Sequence, residues 1–480
     1  MKKVLSIVLS LTLIIGLSVG ARVAPVKAEG VITNVTPADG STVNLLSDYV
    51  YDFCANYQKG LVNSLYKKNS DRYYPTPATF KWDAVSGVDN YVLSISTNKE
   101  FNNPFTYSTS STSLDIDTLE AGTKYYYRVG CAKNGEYYSS GEKSFTTANL
   151  PRTIRIDKAY NTRDIGGCYV NGGKQRVLQG KVYRGARLDE ISSDGIAKMV
   201  NDFGVKTDFD LRESSKVPAV SPLGIDTKLI NISAPQYLGP PSSGNENGGF
   251  DYASCWPIIK KEMEVFADSS NYPIYVHCNI GRDRTGSILC LLEALLGMTE
   301  NEIYRDYELS YFAKVSNSSV VDPTAFNVKN IDALFNYFKN YGTGTLQQYV
   351  ERYLKECVKL SDAQISSIKN NLLSPLPTPK PTPTVKKPAK VKIKSAKNSK
   401  KKTIVVKYKK ATNAKGYQVW YATNKKFKKA KKKFTTKLTY KIKKLKKKKT
   451  YYIKVRAYNL NGKTKVYGSF SKVKKVKVRK

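Results

Sequence analysis

Three stretches of the chain carry three different rhythms of apolar and polar residues. From residue 31 to about 147, short segments such as "ATFKWDAV", "NYVLSIST", "TSLDIDTL", "TKYYYRVG" and "GEKSFTT" alternate apolar with polar positions between Ser-Gly, Asn and Ala-Gly turns. Period-two alternation broken at short intervals predicts strands with one buried face, and several in a row predict a β-sandwich. Between residues 150 and 374 the rhythm changes. "GVKTDFDLR" and "PIYVHC" read as buried strands, whereas "TGSILCLLEALLG" is apolar on nearly all sides, as a buried helix would be. Thr299 and Glu302 then form the capping box of a further helix. The expected fold class is multidomain, a central α/β domain flanked by two all-β sandwiches.

The second sandwich is predicted by repetition. "WDAVSGVDNYVLSISTNKEF" and "LEAGTKYYYRV" return in order within "TIVVKYKKATNAKGYQVWYATNKKF" and "LKKKKTYYIKVRAYNLNGKTKVYGSFSK". Val405, Tyr417, Val419, Tyr421, Ile453 and Val455 are expected to face inward, with lysines outward. Both copies resemble fibronectin type III domains, Trp82 standing as the buried early tryptophan of the first. "SPLPTPKPTPTVKKP" predicts an extended, semi-rigid linker. The organisation expected is a leader at 1–28, sandwiches at 31–148 and 389–480, the α/β domain at 150–374 and the linker at 375–388.

The leader follows from two lysines, an apolar run from Val4 to about Val19, and the small-residue site Val26-Lys27-Ala28. That pattern predicts a cleaved export signal; no later apolar run is long enough to span a bilayer. Charge is unevenly placed. From Lys386 to Lys480 there are 38 Lys plus Arg and no Asp or Glu, so this segment holds +38 of the formal +40. Seven scattered cysteines form neither a disulfide scaffold nor a short-spaced zinc site.

The stretch "HCNIGRDRTG" holds the only histidine of the chain, His277, then Cys278 and, six positions on, Arg284. A strand running into a glycine-bearing loop and then a helix N-terminus aims backbone N–H groups at one point, a cradle for an anion. Arg284 adds a bidentate grip on two phosphate oxygens, and the same donors lower the cost of a Cys278 thiolate, which makes it a nucleophile toward phosphorus. The general acid that must protonate the leaving oxygen is Asp283, inside the loop, or Asp210, at the end of "DFDLR".

"NTRDIGG", "KVYRGARLDEIS", "GVKTDFDLR", "HCNIGRDRTG", "YRDYELS" and "LQQYVERYLKECVKLSDAQISSIKNNLL" together resemble, in this order, the bacterial protein tyrosine phosphatase family with the loop His-Cys-x-x-Gly-x-Asp-Arg-Thr-Gly. The resemblance implies Cys278 as nucleophile and Arg284 as phosphate clamp. Thr285 would then assist departure of sulfur, Asn279, Ile280, Gly281, Arg282 and Gly286 would line the substrate, and His277 would orient the loop. Arg282 replaces the family's usual lysine, and Gly185 stands where serine is frequent. Arg163 and Asp164 are expected to form an ion pair near the site. Neither metal nor other cofactor is required.

The activity implied is phosphate monoester hydrolysis through phosphocysteine, with phosphotyrosine favoured because cations and anions are balanced over residues 151–374. Phosphoinositides or inositol polyphosphates are the alternative within the same mechanism; a non-catalytic phosphate-binding or adhesive surface protein is the alternative of another class. The partner expected for residues 386–480 is a polyanion such as an anionic cell-wall polymer, nucleic acid being poorly placed for a secreted protein retained at the cell envelope.

Overall fold

The computed structural model describes residues 28–29, 32–60, 74–235, 249–313, 329–376, 387–400, 402–461 and 464–479. The leader to residue 27 and most of the Pro-Thr linker lie outside them. Among the described residues no helix is long and apolar enough to cross a membrane. Residues 1–377 form one compact unit and residues 378–480 a second.

The first unit begins with the alternating segments. They pair as a seven-stranded sheet and a two-stranded one, Ala78–Lys81 with Ser113–Ile116. Every second side chain turns inward, so Phe80, Leu93, Ile95, Tyr127, Val129 and Phe145 are buried together with Trp82. A helix not foreseen in the sequence, α1 (Asp48–Ala55), interrupts the strands. Its Val50, Phe53 and Cys54 leave the sandwich core and pack with Leu309, Tyr311 and Phe312 of the central region. Between the same two regions, the Ala121 amide donates to Gln179 and the Gln179 amide returns a bond to the Ala121 carbonyl, both at 2.9 Å.

The central sheet has six strands: β1 (Arg152–Thr153), β2 (Arg163–Asp164), β3 (Val182–Gly185), β4 (Thr207–Asp210), β5 (Lys228–Asn231) and β6 (Ile274–His277). Their spatial order is β1-β2-β3-β6-β4-β5. From β3 to β5 all neighbours are parallel, and the last strand in sequence, β6, lies in the middle. β3, β4 and β6 are buried at every position, which explains their continuous rather than alternating apolar reading. The helices after the short α2 (Ser193–Ala197) are α3 (Trp256–Ala267), α4 (Asp283–Leu296), α5 (Glu300–Glu308), α6 (Lys329–Lys339), α7 (Leu346–Glu356) and α8 (Asp362–Leu372). All residues of α4 from Arg284 to Leu296 are buried. α5 starts with the expected Thr299–Glu302 capping box.

The second unit holds a three-stranded and a five-stranded sheet around one core. Tyr417, Val419, Tyr421, Ile453 and Val455 turn inward as expected. Val405 does not. Ile404, Val406 and Tyr408 fill the core from that strand, and a one-residue offset in a period-two element sends Val405 to the opposite face.

The α1 contact yields a direct test. Phe53 is fully buried with its ring 5.0 Å from that of Phe312. Phe53→Ala should lower the unfolding free energy of the first unit by about 3–5 kcal/mol in urea titration, the usual cost of emptying a buried aromatic site. An unchanged midpoint would show that α1 contributes nothing to it.

Candidate active site

β6 delivers His277 and Cys278 to the carboxyl ends of the parallel strands, where crevices form in sheets of this kind. Gly185 and Asp210 flank His277 in register on β3 and β4. The loop that follows returns into α4 at Asp283.

Four of the five carbonyls from His277 to Gly281 are held from outside the segment, and the fifth by the His277 ring. The His277 carbonyl accepts from the Leu211 amide at 2.9 Å and that of Asn279 from the Arg187 amide at 3.1 Å. The Cys278 carbonyl lies 3.1 Å from Nδ1 of His277. The Ile280 carbonyl accepts from Nδ2 of Asn161 at 2.9 Å, and the Gly281 carbonyl from Nη2 of Arg184 at 2.8 Å. With four of these five carbonyls fastened to the surrounding wall and the Cys278 carbonyl to the His277 ring, the amides of Asn279, Ile280 and Gly281 are left without an acceptor among the described residues. Amides of a curved segment that share no internal acceptor form an anion-binding concavity. The bend requires Gly281. Its φ is +71°, and a Cβ there would stand 2.1 Å from the Gly185 carbonyl oxygen.

Gly185, the departure from serine, has its own steric reason. A Cβ at that position would meet the Tyr275 hydroxyl at 2.1 Å, which itself donates to the Ala186 carbonyl at 2.8 Å.

The loop side chains fall into three groups. Cys278 is buried, as are Arg284, Thr285 and Gly286. Arg284 places Nη1 3.3 Å from the Leu211 carbonyl and 3.2 Å from the half-exposed Glu213 carboxylate, while its buried Nε and the buried Thr285 hydroxyl make no hydrogen bond among the described residues. Arg282 and Asp283 pair with each other at 3.0 Å on the partly exposed side of the loop. Asn279 is exposed and its side-chain oxygen accepts from Arg187 at 2.7 Å.

The two candidate acids differ sharply. Asp210 is 1 % exposed and accepts from Nε and Nη2 of Arg212, the latter at 2.7 Å. Arg212 also grips Asp189, so Asp210 braces Arg212 and not Arg284. Asp283 keeps nearly a third of its side chain in solvent.

Arg163 and Asp164 do not pair with each other. As neighbours on β2 they point to opposite faces of the sheet. Arg163 bonds Asp306 at 2.7 Å, and Asp164 binds Arg152 at 3.2 Å. Arg184 also bonds Asp306, so one buried carboxylate holds both arginines beside the loop. Burial would raise the Asp306 carboxyl, but the two guanidinium groups outweigh it and hold it at about 2. Burial, and the neighbouring charge of Asp306, push Glu293 far above the carboxylate range.

Asn161, Arg184, Arg187, Asp208 and Asp306 were not singled out from sequence, although four ordered motifs around the loop segment contain them. Asp208 matters most for His277. Nε2 of His277 lies 2.8 Å from Asp208, whose other oxygen accepts from Ser221 at 2.7 Å. With acceptors on both ring nitrogens, both must carry protons. Burial alone would lower the His277 pKa, but Asp208 overrides it and the ring is pushed up to about 9.

Residues 154–374 match the tyrosine phosphatase family. A candidate tyrosine-protein phosphatase of Cupriavidus necator is 26% identical over 171 residues, covering 32% of this chain and 61% of that protein. The candidate tyrosine-protein phosphatase OCA1 of Meyerozyma guilliermondii is 39% identical over 49 residues, or 10% of this chain and 26% of its own length. The chain thus spans less than two thirds of either relative. Among solved structures, the core catalytic domain of the PP-IP phosphatase SIW14 from S. cerevisiae is 16% identical with a TM-score of 0.22, covering 46% of this chain and 98% of that one. The sixth fibronectin type III domain of human fibronectin type III domain containing protein 3 is 19% identical with a TM-score of 0.17, covering 20% and 88%.

The single histidine of the chain gives one resolvable imidazole signal. A histidine held near 9 against 6.5 unfolded stabilises the fold fully below pH 6.5, and that contribution disappears as pH rises through 9. NMR titration of His277 should give a midpoint near 9. A midpoint at or below the free value would contradict the charged ring.

Proposed function

We propose that this chain is an exported phosphatase that hydrolyses phosphate monoesters, phosphotyrosine foremost, through a phosphocysteine at Cys278. The observation that carries the proposal is the outward fastening of the carbonyls from His277 to Gly281, which leaves the loop amides free for an anion beside a buried cysteine and arginine. Sulfur forms a bond to phosphorus as the ester P–O bond breaks. Asp283 gives its proton to the leaving oxygen. Water then attacks phosphorus, the S–P bond breaks, Asp283 takes the water proton and inorganic phosphate leaves. The assignment to Asp283 rather than Asp210 is supported by the Arg212 grip on the latter. Loop amides and Arg284 meet the charge that builds on the phosphoryl oxygens, where a preorganised donor is worth most. His277⁺ keeps the Cys278 carbonyl turned away from that charge.

The surroundings favour a monophosphate over an inositol polyphosphate. Arg187 is paired with Asp189 and Glu190, Arg282 with Asp283, and Arg212 with Asp210 and Asp189. A substrate with many phosphates needs unmatched cations, and these are matched. For the rest of the chain we propose two fibronectin type III-like flanks, export directed by residues 1–28, and retention at the cell envelope by a polyanion bound to the +38 segment.

Hydrolysis of p-nitrophenyl phosphate should proceed in EDTA and vanish in Cys278→Ser. Arg284→Ala should lower kcat/KM at least ~100-fold, by about 3 kcal/mol or more of lost transition-state stabilisation. Asp283→Asn should slow phosphotyrosine peptides more than p-nitrophenyl phosphate, whose leaving group needs less protonation. A dead Asp210→Asn beside an unimpaired Asp283→Asn would move the acid to Asp210. Phosphate binding without turnover would establish the non-catalytic alternative, and faster turnover of phosphoinositides or inositol polyphosphates than of phosphotyrosine would change the substrate class.

A further inference from the structure

The outward face of the five-stranded sheet in the second unit is not built like an ordinary solvent face. Trp420 stands in register with Lys432 on one side and Lys454 on the other, and Gln418 with Arg456. Cations cover the aromatic rings. Lys432 lies 4.4 Å from the Trp420 ring centre, Lys454 lies 4.2 Å from both Phe427 and Phe470, and the Arg456 guanidinium 3.7 Å from Tyr467. Lys454 and Arg456 point to the same face of one strand, roughly 6.7 Å apart along it. Both are partly buried, and residues 386–480 contain no carboxylate side chain to offset them. Burial, and then the charge of Arg456, lower the Lys454 pKa, so folding itself works against this arrangement.

The internal repeat supplies a comparison within the same chain. In the N-terminal copy, register and sequence place Ser94 where Trp420 stands and Gly130 where Arg456 stands. Arg128 over Phe101, at 4.5 Å, corresponds to Lys454 over Phe427. The shared pair therefore belongs to the module, whereas Trp420 and Arg456 are additions of the C-terminal copy. They add a ring and a second cation to a face where the fold manages without either.

We propose that this face is a docking surface for a polyol-phosphate polymer of the cell wall, its phosphates seated on the fixed cations of Lys432, Lys454 and Arg456. The inference rests on the reading of the C-terminal unit as a polyanion binder and says where the polymer lies. Lysine or arginine groups lie over the Trp420, Phe427, Phe470 and Tyr467 rings, so a nucleobase stacks on those faces only by displacing a cation, whereas single-stranded nucleic acid sites present their rings for stacking. A flexible chain bearing one phosphate per short unit needs only charges at regular intervals, and the strand provides them. Rings that hold Lys454 and Arg456 in place lower the ordering cost that free surface lysines would bring to binding.

The test compares charge-matched pairs in the full chain on immobilised poly(glycerol phosphate). Lys454→Gln with Arg456→Gln should weaken binding roughly 10-fold or more, whereas Lys397→Gln with Lys407→Gln, two exposed lysines of the other sheet, should weaken it by about 3-fold or less, the effect of diffuse counterion release. Trp420→Ala keeps every charge and should weaken binding several-fold while leaving the log-log salt slope unchanged; it decides the matter if the double variant unfolds on heating. Equal weakening by the two pairs, or full binding by Trp420→Ala, overturns the docking face while the polyanion reading stands. If the unaltered chain does not bind poly(glycerol phosphate) even at low salt, that reading fails as well. Tighter binding to single-stranded DNA or heparin at equal salt overturns the choice of partner.

Discussion

The site depends on where five consecutive carbonyl groups point. A backbone segment has as many acceptors as donors, and a loop turning its amides toward an anion must dispose of its carbonyls elsewhere or bury them unpaired. Here each finds a donor on a different element: Leu211 after β4, His277 itself, Arg187 after β3, Asn161 before β2, and Arg184 on β3. The wall around the loop is therefore part of the proposed anion site even though it does not line it. His277 serves it as a charged donor, held so by Asp208.

That wall is itself held by buried charge. Asp306 on α5 fastens Arg163 and Arg184, and through Arg184 the Gly281 carbonyl. Ser310, one turn on, accepts from Arg163 at 3.2 Å and from Asn161 at 3.3 Å, the same side chain that holds Ile280. The flanking residues Leu309, Tyr311 and Phe312 pack on α1 from the N-terminal region. A mechanical path thus runs from the N-terminal helix to the loop through side chains that each hold at least one partner, although Nε of Arg184 has none among the described residues.

The elements that were legible in sequence are those whose pattern is local. β6, α4 and the α5 capping box follow from a continuous apolar run, an all-round apolar helix and a Thr-x-x-Glu spacing. α1 was hidden because its eight residues, DYVYDFCA, lie among strand-like segments and its apolar face is completed by Leu309, Tyr311 and Phe312, far along the chain. Val405 was misplaced because two β-branched neighbours make either register plausible until the partner strand is known. The partners of Arg163 and Asp164 are set by the sheet, which sends adjacent side chains to opposite faces. The wall residues Asn161, Arg184, Arg187, Asp208 and Asp306 all sit inside segments that stood out by resemblance, but their role is a long-range hydrogen bond that no spacing encodes.

The central claim is that this wall makes Cys278 a nucleophile toward phosphorus. Rapid acid quenching of the full chain after mixing with radiolabelled phosphotyrosine peptide, followed by proteolysis, measures it directly. The account predicts a transient phosphoryl label on the peptide containing Cys278, absent in Cys278→Ser and accumulating when the breakdown step is slowed. Turnover with no covalent label at any time, or with the label on another residue, would contradict it.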